Sequence, residues 1–237
     1  MKTFFLTALC CFFYATSFAH FLWIETEATG KLNTKHTVNV YYGEYSYGVK
    51  ETVGGDTFNK VKNFSLWAIA PDGSKTALEI SAKENFYTAQ FTPTQKGTYT
   101  IALNNNDIEV IDFTKYDFGI FKTHYYSSAT VTVGKIQPAS VTQNENGIAL
   151  QLVKKEGNQA TFKLLYKNEA LAKSEVTIFM QDQWSKKINT DDNGLFTFAM
   201  PFDTTYVLEA TTKEEVPGEF KGKTYEFVWH CSTFSIK

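Results

Sequence analysis

Arginine is missing from this 237-residue chain, so all 23 basic side chains are lysines. That weakens any reading built on bidentate phosphate or guanine contacts, which the guanidinium fork serves best. A net charge of −2 excludes a strongly basic nucleic-acid binder as well. Proline is scarce at 5, and glycine at 14 is ordinary, so the composition is neither collagen-like nor that of a disordered chain. No stretch approaches the roughly 18 apolar residues of a membrane span. No run of ten or more residues has convincing helical periodicity. CxxC, HExxH and H-x₃₋₅-H patterns are missing, and so is G-x-S-x-G, which leaves no strong zinc or hydrolase motif.

What is present is aromatic and alternating. Phe 21, Tyr 13 and Trp 4 bring the aromatic share to 16%. Residues 1–19 read as an export signal: Lys2 is the charged start, Phe4 to Tyr14 is a short apolar core, and Ser17-Phe18-Ala19 supplies small residues at −3 and −1. The expected location is periplasmic or secreted. Cleavage after Ala19 removes Cys10 and Cys11 and leaves Cys231 as the last cysteine, so no intramolecular disulfide is expected. The mature chain would then begin at His20.

Downstream, period-two segments alternate with turn signals. Thr37–Tyr42, Phe64–Ala70, Thr98–Leu103 and Ala129–Val133 read as strands, and Pro71-Asp72-Gly73-Ser74 as a turn. A polar, turn-rich stretch follows, containing Gln143-Asn144-Glu145-Asn146-Gly147. Strands resume at Ala160–Tyr166, Ser174–Met180, Leu195–Phe198, Thr205–Ala210 and Tyr225–Ile236. The expectation is an all-β chain of two tandem Ig-like β-sandwich domains, 20–135 and 149–237, joined by a linker at 136–148.

Two resemblances add to this. The segments NEALAKSEVTIF, TDDNGLFTFAMP and TYVLEAT, within 160–211, are similar to carboxypeptidase-regulatory-like and related Ig-like modules. They imply a fold and say little about function. The mature chain as a whole resembles the DUF4198 family. The matching pieces are Ala19-His20-Phe21-Leu22-Trp23, Tyr42-Gly43-Glu44, Pro71-Asp72-Gly73, Gly97-Thr98-Tyr99 and the ending Trp229-His230-Cys231-Ser232-Thr233-Phe234. Cys231 and Phe234 depart from the family's usual ending. The resemblance implies an exported component of nickel or cobalt uptake that carries a metal ion or metal chelate to an envelope transporter component.

The residues offer a chemistry for that role. A histidine at a free N-terminus presents its α-amine and ring Nδ1, which chelate one metal in a six-membered ring. The amine titrates near 8, so a metal displaces its proton at neutral pH. Nitrogen and oxygen donors together suit nickel or cobalt, and three nitrogens suit copper. His230 is the expected partner. Alternation places it on the face opposite Cys231, and a core histidine is the competing reading. His124 is a third ligand or a loop histidine, and Glu44 a carboxylate donor or a solvated hairpin residue. Cys231 is a soft ligand or a small buried side chain. The aromatic run Tyr41 to Gly48 is a stacking surface or alternating core and surface tyrosines. Asp191-Asp192-Asn193-Gly194 lacks the glutamate of a calcium loop and reads as a hairpin turn. No catalytic residues are identifiable. The other functions compatible with the sequence are a non-catalytic adhesion or assembly module and a copper protein with a histidine brace.

Overall fold

A computed structural model describes residues 20–134 and 144–237. The expected export signal, 1–19, and residues 136–143 of the expected linker lie outside the described residues. The described chain is an all-β sandwich structure. Its longest helix is the four-residue turn Asp56–Asn59.

Thirteen strands carry the architecture: β1 Phe21–Thr26, β2 His36–Glu44, β3 Ser65–Ile69, β4 Tyr87–Phe91, β5 Gly97–Asn105, β6 Ile120–Val133, β7 Ile148–Glu156, β8 Gln159–Tyr166, β9 Glu175–Phe179, β10 Ser185–Asn189, β11 Leu195–Ala199, β12 Tyr206–Glu214 and β13 Phe227–Ile236. Shorter pieces flank them. Alternation explains most of them: in β2, Val38 and Val40 are fully buried while Thr37 between His36 and Val38 is exposed.

One sheet runs through both halves of the chain. Its main order is β10-β9-β12-β13-β6-β5-β3, with Lys75–Ala77 at the far edge. At its centre β6 and β13 are parallel, in register from Phe121↔Phe227 to Ala129↔Ser235. Each long strand also serves its own half: β6 pairs antiparallel with β5, and β13 with β12. Two smaller sheets cover this backbone. One contains β1, β2 and β4, the other β7, β8 and β11.

Two cores result. Leu22, Ile24, Val38 and Val40 pack against Ile101, Leu103 and Val131 in the first half. Ile148, Leu150, Phe162 and Leu164 pack against Ile178, Leu208 and Phe234 in the second. A third cluster bridges the halves, joining Phe21, Trp23, Tyr41 and Tyr45 to Val207. Phe21 to Ile24 is thus buried on both faces, which is why β1 reads as an unbroken apolar run rather than an alternating one.

The free edge of β1 is capped by side chains of the central pair. The Tyr125 hydroxyl donates to the His20 carbonyl at 3.0 Å, and Thr233 Oγ1 donates to the Leu22 carbonyl at 2.7 Å. Backbone acceptors that would otherwise be buried unpaired are satisfied this way. The caps also fix where residue 20 lies.

Candidate functional site

His20 immediately precedes β1 and its ring is half-buried. Nδ1 lies 3.3 Å from Glu44 Oε1, and Nε2 lies 2.7 Å from Glu51 Oε1. The Tyr42 ring is 5.5 Å away, centroid to centroid.

A hairpin brings the two carboxylates together. β2 ends at Glu44, a one-turn 3₁₀ segment covers Tyr45–Tyr47, and Gly48 adopts a left-handed conformation that turns the chain back. Gly43 then pairs with Lys50, and the Glu51 N–H donates to the Tyr42 carbonyl at 2.9 Å. Gly43 is required here. Its φ is +148°, and a Cβ at this position would stand 2.2 Å from the Val49 carbonyl oxygen. β1 pairs Phe21 with Gly43, so His20 falls beside the hairpin base. Of the aromatic run, Tyr41, Tyr42 and Tyr45 are buried, and Tyr47 is exposed.

The donors are one imidazole and two carboxylates, a nitrogen and oxygen set that borderline divalent metals accept. The side chains do not form a finished cage: no group of three His, Cys, Asp or Glu side chains among the described residues is arranged to hold a metal ion. The two ring nitrogens face different carboxylates, so the ring is oriented rather than enclosed.

The other two candidate histidines, His124 and His230, lie elsewhere. Tyr125, Ser127, Cys231 and Thr233 share the face of the central pair that meets β1. His124, Tyr126, His230 and Phe234 point to the opposite face, toward the second core. The structure therefore brings His20 together with Glu44, and His124 together with His230, with the sheet between the pairs. His230 does not reach His20. His36 is in neither group and bonds Thr26 at 2.8 Å.

His124 and His230 are direct register partners, with ring centroids 5.2 Å apart. His230 is 1% exposed and its Nε2 lies 2.9 Å from Glu214 Oε2. Glu214 is ion-paired with Lys167 as well. Desolvation would raise the Glu214 carboxyl, but hydrogen bonds from Lys167 and His230 outweigh it and hold the group down at about 2. Burial lowers both histidines, His124 to about 4 with help from nearby Lys122, so both rings are neutral at neutral pH.

Cys231 is buried on the His20 face, where burial and the Glu209 carboxylate push its thiol well up, so it is no thiolate at neutral pH. Glu209 has no hydrogen-bond or ion-pair partner among the described residues, and desolvation raises it to about 7. Asp191 closes its hairpin by accepting from the Asn193 and Leu195 N–H groups. A cavity of about 360 Å³ opens near the C-terminal end of the central pair, lined by Ile24, Thr26, Ala129, Leu152 and Lys155 among others, and none of the candidate ligands reaches it.

Glu51, Tyr126, Glu214 and Glu209 were not evident as site residues in the sequence. Only Glu51 had a readable signal, the glycine-bounded hairpin that returns it toward Tyr42.

A family profile described as "Domain of unknown function (DUF4198)" matches residues 17–214. No curated protein matches. Among solved structures, the chain is similar to a DUF4785 family protein from Legionella pneumophila subsp. pneumophila str. Philadelphia 1, at 11% identity and a TM-score of 0.30, over 78% of this chain and 51% of that one. It is also similar to the BSP domain of a biofilm-associated protein, at 11% identity and a TM-score of 0.24, over 90% of this chain and 29% of that one. The chain thus spans about half the length of the first and under a third of the second.

Proposed function

The chain belongs to the DUF4198 family, and we propose that it is an exported protein that binds a transition-metal ion through His20 once the first 19 residues are removed. The observation that carries this reading is the pair of carboxylates on the His20 ring. Glu51, the nearer carboxylate, favours the tautomer with the proton on Nε2, which turns the Nδ1 lone pair toward Glu44. Nδ1 is the nitrogen that closes a six-membered chelate with the α-amine. A carboxylate behind the ring of a metal-bound histidine is the usual means of fixing its orientation. Glu44, on the Nδ1 side, supplies an oxygen donor and negative charge to draw in a cation.

The finer assignments belong to the same proposal: nickel or cobalt as cargo with copper as the alternative, delivery to an envelope transporter component, a periplasmic or secreted location, and no catalysis of its own. They are supported by the family resemblance and by the signal-like start of the sequence.

Ni(II) titration of the chain beginning at His20 tests the reading. His20→Ala, or one extra residue ahead of His20, should weaken binding at least tenfold, about 1.4 kcal/mol. Unchanged affinity in both would overturn it. The intact mass of the protein purified from its native envelope, measured after denaturation, checks whether His20 is the free N-terminus.

A further inference from the structure

We propose that His124 and His230, with the Tyr126 hydroxyl between them, form a second metal site for a borderline divalent ion, Cu(II) or Zn(II), on the face of the central strand pair away from His20. It does not depend on the His20 reading. The parallel register sets the two histidines side by side. Each Nδ1 lies 3.4 Å from the same Tyr126 oxygen, and that oxygen lies 3.4 Å from the Asn146 carbonyl.

These distances are longer than the 2.7–3.2 Å of good hydrogen bonds to nitrogen, and one hydroxyl proton cannot serve three acceptors. Three acceptor atoms therefore surround the Tyr126 hydroxyl, and it pairs poorly with each of them. The second requirement is orientation. His230 Nε2 is held by Glu214, itself fixed by Lys167, so the His230 lone pair at Nδ1 is directed at the Tyr126 hydroxyl. This is the carboxylate-backed histidine arrangement again, now inside the protein. Two imidazoles plus a phenol or carbonyl oxygen make an N₂O set suited to copper or zinc. His124 is only partly buried, which leaves the ion a way in.

Cu(II) is the probe, titrated into the His20→Ala protein so that the terminal chelate is absent. One ion per chain should bind, with electron paramagnetic resonance showing coupling to two imidazole nitrogens. Adding His124→Gln should weaken that binding at least tenfold and remove one nitrogen from the spectrum. Glu214→Gln, acting through His230, should weaken it less and keep both nitrogens. Tyr126→Phe keeps the aromatic packing and tests the site if His124→Gln fails to fold: it should shift the copper spectrum. The proposal is overturned if His20→Ala protein binds no copper saturably, or if binding shows no imidazole coupling. It also falls if folded His124→Gln protein binds as before. Failure here leaves the His20 reading intact, because that reading is tested by the loss caused by His20→Ala itself.

Discussion

On one face of the central strand pair, His20 stands half-open between Glu44 and Glu51, at the base of a glycine-dependent hairpin. On the other, His124 and His230 are packed among tyrosines, and a single carboxylate, Glu214, reaches His230 from behind. The same residue type is thus used in two ways. The open histidine is held by groups water can replace, so its contacts set orientation more than stability. The buried histidine depends on its partner, because a lone buried donor carries its full desolvation cost.

The largest expected effect comes from breaking the hairpin. Gly43→Ala drives a Cβ into the Val49 carbonyl and demands a backbone conformation that side chains rarely adopt. A loss of about 3 kcal/mol is expected in chemical denaturation. Where the protein still folds, metal binding at His20 should suffer while the His124 pair is spared. Equal damage to both would erase the contrast between the faces.

Next is the pair of carboxylate deletions. Glu214→Ala strands buried His230 Nε2 and should cost about 2–3 kcal/mol. Glu51→Ala, opposite the half-open ring, should cost less than about 1 kcal/mol, yet weaken metal binding severalfold. Urea melts of the two variants side by side give the comparison directly, and matching losses would contradict it.

Smaller than the Glu214 loss is a pH dependence on the His20 face. Glu209 titrates near 7 in the folded protein against an ordinary 4.5. Between those values the folded state retains a proton that the unfolded chain has released. Stability therefore falls as pH rises from about 4.5 to 7, and the loss is complete above 7. Glu209→Gln should match the wild type near pH 4 and exceed it by about 2 kcal/mol at pH 8, a figure reduced for the water that reaches this half-buried group. A difference independent of pH would show that charge is not the cause.

Much of this fold was legible in the residues. Period-two alternation located nine of the thirteen strands, though only the last five residues of β6 and none of β1, β4, β7 or β10, and it placed His230 and Cys231 on opposite faces of β13, as the structure does. Glu44 was within reach of sequence reasoning because Tyr42-Gly43-Glu44 carries the family resemblance. The parallel pairing of β6 with β13 was not. Its partners are about a hundred residues apart, and no local signal specifies which distant strand a long alternating one will join. That pairing decides which histidines meet, so the sequence alone joined His230 to His20 and the structure joins it to His124. Read from the residues alone, β12 ends at Ala210 and neither Glu209 nor Glu214 has a role; only the packing around the strand makes one a lone carboxyl and the other an anchor.

The position of β13 has a consequence for the order of assembly. The segment nearest the C-terminus lies in the middle of the longest sheet, and its Thr233 caps the strand that follows His20. A ribosome delivers that segment after the other twelve strands. Until it arrives, β6 lacks its parallel neighbour, β12 has an open edge, and the Leu22 carbonyl is without its cap. Closing such distant pairings is intrinsically slow. A chain with this topology keeps both halves of its longest sheet unfinished until β13 has been made.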